Sequence, residues 1–231
     1  MRHHAQGRTY RYVKQYVTRN VLSDIVPLNV RAISDRLDVS QVPVREALFR
    51  ISHEGLIDFV SGEGFFARSL SRIDLAQACA ISRGIAIFGL QSPDPCLRPK
   101  PAGIVSAANR CRDKLSTCAD HSRAFWWVEA VLRRLIRRCY HREARWHLIR
   151  ILDRTLAFRR TVSRDHQAAY NVAASLAKIA SEIAEGDFPR ALASIETLHI
   201  NEEARLLCSY SAYNEALTRV RRAQNGVYIS V

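Results

Sequence analysis

The residues best suited to recognition chemistry lie between Val39 and Leu48, which read Val-Ser-Gln-Val-Pro-Val-Arg-Glu-Ala-Leu. The Arg45 guanidinium can pair two hydrogen bonds with a guanine edge, and the Gln41 amide can do so with adenine. Val42 offers methyl groups of the kind that meet a thymine methyl. Val44, Leu48 and Ile51 recur at helical spacing, so a helix capped by Ser40 buries that stripe and carries Gln41, Arg45, Phe49 and Arg50 on its other side. The first-turn residues of such a helix enter a major groove deepest, which favours Ser40, Gln41, Val42 and Arg45. Arg31 is placed to reach a phosphate. Gly62 and Gly64 allow a backbone hairpin to approach a duplex closely. The chemistry implied is the reading of base edges, with no bond made or broken.

Other constellations are weaker. There is no phosphate-binding GxxxxGK[ST] loop, no GxGxxG, no GxSxG and no HExxH. His141 and His147 stand about 120° apart around a helix, so they make no ready metal pair. Cys79, Cys96, Cys111, Cys118, Cys139 and Cys208 contain no CxxC pair and no zinc-ligand spacing with histidine. They read as reduced thiols, several of them buried, with redox sensing as the sharper alternative. Phe125, Trp126 and Trp127 read as core and interface before they read as a base-stacking platform. His53 suits the C-terminal dipole of its helix, with phosphate contact secondary.

The elements that must position these side chains follow from periodicity. Tyr10, Val13, Tyr16, Val17 and Val21 predict a first helix over residues 9–20. Asn29 caps a second helix, with Val30, Ile33 and Leu37 facing inward. A turn at Asp38-Val39-Ser40 leads to the third helix, where Pro43 is harmless in the first turn and Gly55 marks the end. Residues 56–60 and 65–68 predict two strands of a hairpin around Ser61-Gly62-Glu63-Gly64. Beyond a linker at 69–72 the signals are almost wholly helical, predicting helices over 74–91, 102–118, 121–140, 143–161, 166–185 and 188–218. Asp165-His166 marks one helix start. The fold class expected is mainly α: a winged helix-turn-helix over 1–70, a helical ligand-binding and dimerisation bundle over 71–222, and a tail over 223–231.

The net charge is +13 in 231 residues, which draws the chain toward polyanions, nucleic acid first and an anionic membrane second. Residues 1–70 hold ten Lys/Arg and seven Asp/Glu, a net of +3, and residues 71–231 hold twenty-five and fifteen, a net of +10. Arg133, Arg134, Arg137, Arg138, Arg142, Arg145 and Arg150 crowd one stretch. That stretch reads as a solvated helix face, or as an auxiliary phosphate contact or anionic-ligand surface. No stretch approaches 18 uncharged apolar residues, and the polar N-terminus lacks the apolar core of a signal peptide, so a cytoplasmic location without a membrane partner is expected.

Residues 29–68 resemble the DNA-binding domain of the GntR family of regulators. The Val39–Leu48 run carries the likeness, with Glu54-Gly55-Leu56 and Gly62-Glu63-Gly64 behind it. The family pattern is close to V-S-R-T-P-V-R-E-A-L, then E-G-L, then a wing glycine. Gln41 and Val42 stand where the family usually has Arg and Thr, which implies a different operator. The resemblance implies a sequence-specific transcriptional regulator, a repressor by expectation, acting as a homodimer on a near-palindromic duplex.

The stretch after Ile73 is similar to the effector domain of the FadR-like subgroup, through Arg83 and through Glu185-Gly186-Asp187 followed by Ala191. Many members hold a divalent metal on one Asp and three His. Those positions fall here near Glu129, Arg133, Leu176 and Leu198, with His199 one step out of register, so neither a metal nor another cofactor is expected. The resemblance makes Arg83, Glu129, Arg133 and His199 the candidate effector residues. A buried Arg133 needs a carboxylate, supplied by Glu129 four residues away or by an anionic effector such as an organic acid. Two other readings stand beside the regulator. An enzyme in the bundle would need a nucleophile–base set that the sequence does not offer. A helical interaction protein would keep the DNA-binding head without sensing a ligand; an apolar or filled cavity in the bundle would favour it, whereas a hollow with Arg133 pointing in would favour sensing.

Overall fold

The computed structural model describes residues 2–20, 27–68, 70–91, 103–117, 123–162 and 165–215. The elements are α1 (Arg2–Asn20), α2 (Val30–Leu37), α3 (Gln41–His53), β1 (Ile57–Val60), β2 (Gly64–Ala67), α4 (Arg72–Leu90), α5 (Ile104–Thr117), α6 (Ala124–Cys139), α7 (Arg142–Val162), α8 (His166–Glu185) and α9 (Phe188–Cys208). They group into two units. One comprises Met1–Ser71, Asp153–Phe158 and Ser211–Val231, and the other Arg72–Leu152 and Arg159–Tyr210.

In the first unit, Val13 and Val17 of α1, Ile33 of α2 and Val44, Leu48 and Ile51 of α3 share one core with Ile57 and Phe65 of the hairpin. Burying each such side chain stabilises the fold by about 1.5–3 kcal/mol. The Asn29 side chain accepts from the Ala32 amide at 3.0 Å and caps α2. Asp38 then turns the chain in the left-handed region, at φ 51°, a conformation that Asp tolerates better than most residues. Ser40 stands at the N-cap of α3 with extended backbone, yet its hydroxyl makes no capping bond. β1 and β2 pair antiparallel, Phe59 opposite Phe65 and Val60 opposite Gly64. Gly62 and Gly64 hold φ of 84° and 111°, and a Cβ at either would meet nothing within 4 Å. Turn conformation, rather than crowding, is what requires glycine there.

α1 begins earlier than apolar periodicity predicts, because its first two turns are polar and leave no apolar signature. Val21 lies outside the described residues. The sheet also gains an unpredicted neighbour: Pro27 bridges Phe66, and the Leu28 amide donates to the Phe65 carbonyl at 2.8 Å. The first unit includes the middle of α7, where Asp153 sits 2.7 Å from Lys14.

The second unit buries Ile104, Ala108, Leu135, Leu148, Leu176, Ile179 and Ala180 in one core drawn from α4 to α9. Gly89 lets α4 lie against Tyr140 and Ala144: a Cβ there would stand 2.8 Å from the Tyr140 ring. α8 ends in a left-handed Gly186, and Asp187 caps α9 with Pro189 in its first turn. The predicted helix 188–218 is interrupted at Ser209 and resumes over 210–215, where Tyr213 stacks edge-on with Phe158 at 4.6 Å. α4 is the one described helix long and apolar enough to cross a membrane, by length and composition alone. It buries Leu75, Ala78, Ala86, Gly89 and Leu90, while Ile73, Ile81 and Phe88 are exposed. The expected tail over 223–231 lies outside the described residues.

Candidate nucleic-acid interface and bundle cavity

The exposed side of α3 opens with Gln41, Val42 and Arg45. Val42 is 63% exposed, high for a branched apolar side chain. Helix geometry accounts for the arrangement: Val44, Ala47, Leu48 and Ile51 take the buried stripe, which leaves the first-turn polar residues in solvent. Arg45 and Arg31 are exposed, and neither has an ion-pair partner among the described residues.

Two residues expected on that outer side have other work. Phe49 is 38% exposed, but its ring meets Phe59 at 4.8 Å and Phe65 at 4.9 Å, both edge-on. It therefore clamps the hairpin to α3. Arg50 lies over the Tyr10 ring at 4.1 Å and stands 3.8 Å from Glu54, so it turns toward α1. Glu54, just past α3, accepts from the Tyr10 hydroxyl and from Lys14 at 2.8 Å. Burial disfavours the Lys14 charge, but Asp153 and Glu54 outweigh it and hold the ammonium above its ordinary pKa. This polar cluster fixes the C-terminal end of α3 while its N-terminal end stays open. His53 bonds through Nδ1 to the Phe49 carbonyl at 2.7 Å.

The four candidate effector residues do not converge on one site. Arg83 faces Glu203 at 3.5 Å. Glu129 is buried and saturated: Arg133 donates through Nε at 2.6 Å, and Arg159 donates to both carboxylate oxygens at 2.6 and 3.2 Å. Burial raises the Glu129 pKa, but Arg159 and then Arg133 prevail and leave it lowered. His199 alone of the four borders the bundle cavity.

That cavity is about 70 Å³ and is lined mainly by aliphatic side chains, Leu176 and Leu198 among them, with Ser82, Tyr140 and His199 as its polar members. His199 donates from Nδ1 to the Ile195 carbonyl at 2.9 Å, which leaves Nε2 to accept from the Ser82 hydroxyl at 3.4 Å. Burial lowers the His199 pKa, outweighing the bond to Ile195, so the ring is neutral near pH 7. The residues do not fit the divalent metal of the FadR-like subgroup: both Glu129 oxygens are taken by arginines, and Leu176 and Leu198 carry no donor atom. Arg133 pairs with Glu129, and among the described residues no cationic side chain lines the cavity. Cys111 and Cys139 are buried, and burial pushes their thiols up to about 11 and about 12. Such thiols are poor redox sensors; Cys96 and Cys118 lie outside the described residues.

Sequence reasoning missed Arg159, thirty residues from its carboxylate, and the aromatic clamp around Phe49. Neither pairing has a signal in local spacing.

Comparison with known proteins bears on the first unit and on the whole fold. Residues 5–67 match the model of the bacterial regulatory proteins of the gntR family. A crystal structure described as a transcriptional regulator GntR from Rhodococcus sp. RHA1 is 16% identical, with a TM-score of 0.68 over 89% of this chain and 98% of that one. E. coli McbR/YncC is 12% identical, with a TM-score of 0.63 over 89% and 98%. Lar, which controls expression of the Listeria monocytogenes agr system, is 11% identical, with a TM-score of 0.57 over 87% and 95%. At these identities the likeness is one of fold. No curated protein sequence matches the chain.

Proposed function

We propose that this chain, whose residues 5–67 match the gntR family of bacterial regulatory proteins, is a ligand-responsive repressor that reads duplex DNA with the first turns of α3. Gln41, Val42 and Arg45 contact base edges, and Arg31, Ser40 and the wing at Gly62 and Gly64 meet the backbone. Arg50 supports α3 from the α1 side. The observation that carries the reading is the exposed Gln41–Val42–Arg45 face within the matched domain, with Arg45 unengaged by any described carboxylate. The chain acts in the cytoplasm as a homodimer, each protomer reading one half of a near-palindrome.

The effector is a small, uncharged, mostly apolar molecule held in the bundle cavity. An aliphatic lining and a neutral His199 with a hydroxyl neighbour support that chemistry, because a buried anion would need a cation that the lining lacks. A cavity of about 70 Å³ is smaller than the roughly 150 Å³ that accepts benzene, so the lining widens to admit more than a few heavy atoms. The test is a thermal-shift screen of short alcohols, ketones and carboxylic acids on the purified chain. Stabilisation by neutral compounds, abolished by Leu176→Phe, is expected; stabilisation by carboxylates alone overturns the uncharged reading.

A further inference from the structure

The arginines gathered where α6 gives way to α7 have no role in DNA reading by α3 or in the cavity. We infer that this corner is a second DNA-binding surface, holding backbone phosphates without regard to sequence; the inference rests on the reading of the chain as a duplex-binding protein.

Arg145 donates through Nη1 to the Arg137 carbonyl at 3.5 Å, so the end of one helix and the start of the next bring their cations together. Arg134, Arg137, Arg138 and Arg142 are all exposed. Among the described residues, the first three have no ion-pair partner. Arg142 has only Glu143 at 3.8 Å, with both side chains more than 70% exposed, a pairing worth little. Folding accounts for part of the set: Arg137 and Arg138 lie in the last turn of α6, where a helix dipole favours cations. It does not account for Arg142, which stands in the first turn of α7, where the same dipole disfavours it. Cations kept close together against mutual repulsion are matched to an anion that lies outside the fold.

The chemistry of the corner selects among anions. All of these cations are arginines, whose planar forks fit phosphate oxygens in pairs. A duplex presents such phosphates in rows, about one charge per 1.7 Å of axis. A bilayer surface would ask for an apolar helix face beside the cations. The outer side of α7 here carries Arg142, Glu143 and His147 around one apolar residue, Trp146, whose ring already meets Arg150 at 5.2 Å and His147 at 4.7 Å. The distribution of charge agrees, since +10 of the net +13 lies beyond residue 70.

The test is fluorescence anisotropy of the full chain with a labelled duplex of random sequence, titrated from about 50 to about 200 mM salt. Replacing Arg134, Arg137, Arg138 and Arg142 by Ala is expected to flatten the plot of log affinity against log salt by about 0.9 for each phosphate no longer neutralised. Lys at the same four positions restores most of the slope, which separates missing charge from failed folding. An unchanged slope in the Ala variant overturns the proposal. So does binding of wild type to phosphatidylserine vesicles that the Ala variant loses while its DNA slope stays intact. Wild type that binds no duplex at all overturns the regulator reading itself, and is distinguished from the other failures by that result.

Discussion

Arg45 and Gln41 owe their availability to what surrounds them. The apolar stripe of α3 fixes which side is wet, and no described carboxylate takes up Arg45. Arg45→Ala should therefore weaken operator binding by about 1–3 kcal/mol, read in a gel-shift titration, with little change in melting temperature. Gln41→Arg should move base preference at one operator position from adenine toward guanine. Glu129 is the opposite case, a carboxylate spent wholly on two arginines. Glu129→Gln should destabilise the bundle near neutral pH, because Arg133 and Arg159 would lose the buried carboxylate that accepts from both. The Glu129 pKa lies below its ordinary value of 4.5. Its stabilisation is thus complete above pH 4.5 and is lost as pH falls through the lowered value. Urea titrations across that range should show an acid loss in wild type that is absent from the variant. Outward placement of Gln41 and Arg45 is legible in the sequence, since it is the complement of a local stripe. Arg133 on Glu129 is legible at four residues' separation. Arg50 on Tyr10, Phe49 on Phe59 and Arg159 on Glu129 are not, because each partner arrives through tertiary packing.

At the scale of elements, α3 is held at one end and open at the other. The Phe49–Phe59–Phe65 cluster ties the wing to it, and Tyr10, Lys14 and Glu54 tie its C-terminal end to α1. The bundle depends on a close approach at Gly89. Gly89→Ala would press a methyl group within 2.8 Å of the Tyr140 ring. The ring borders the cavity. We expect a loss of about 1–3 kcal/mol in chemical denaturation, together with a weaker response to cavity ligands. Unaltered stability would mean that α4 and Tyr140 do not pack as described. Most elements could be placed from the sequence, because apolar spacing and capping residues agree on them: α8 falls on 166–185 as predicted, with Asp165 as its cap. The exceptions have physical reasons. The first two turns of α1 are polar, and the break in α9 at Ser209 carries neither Gly nor Pro to announce it.

Across the whole molecule, charge and shape divide the labour. Residues 1–70 carry a net charge of +3, and most of the cationic surplus lies in residues 71–231. The winged-helix class and the helical bundle were legible because motif, wing spacing and periodicity point the same way. The chemistry of the cavity was not, since thirteen residues scattered along the chain line it. Only the fold brings them together, and it sends Arg83, Glu129 and Arg133 elsewhere. A chain of this design should hold any duplex weakly and one sequence tightly.

Selection from a pool of randomised duplexes by the purified full chain measures that property directly. The account predicts enrichment of a two-fold-related sequence whose recognition is lost when Gln41 and Arg45 are both replaced by Ala. Recovery of an unenriched pool, or of the same sequence by the double variant, would contradict it.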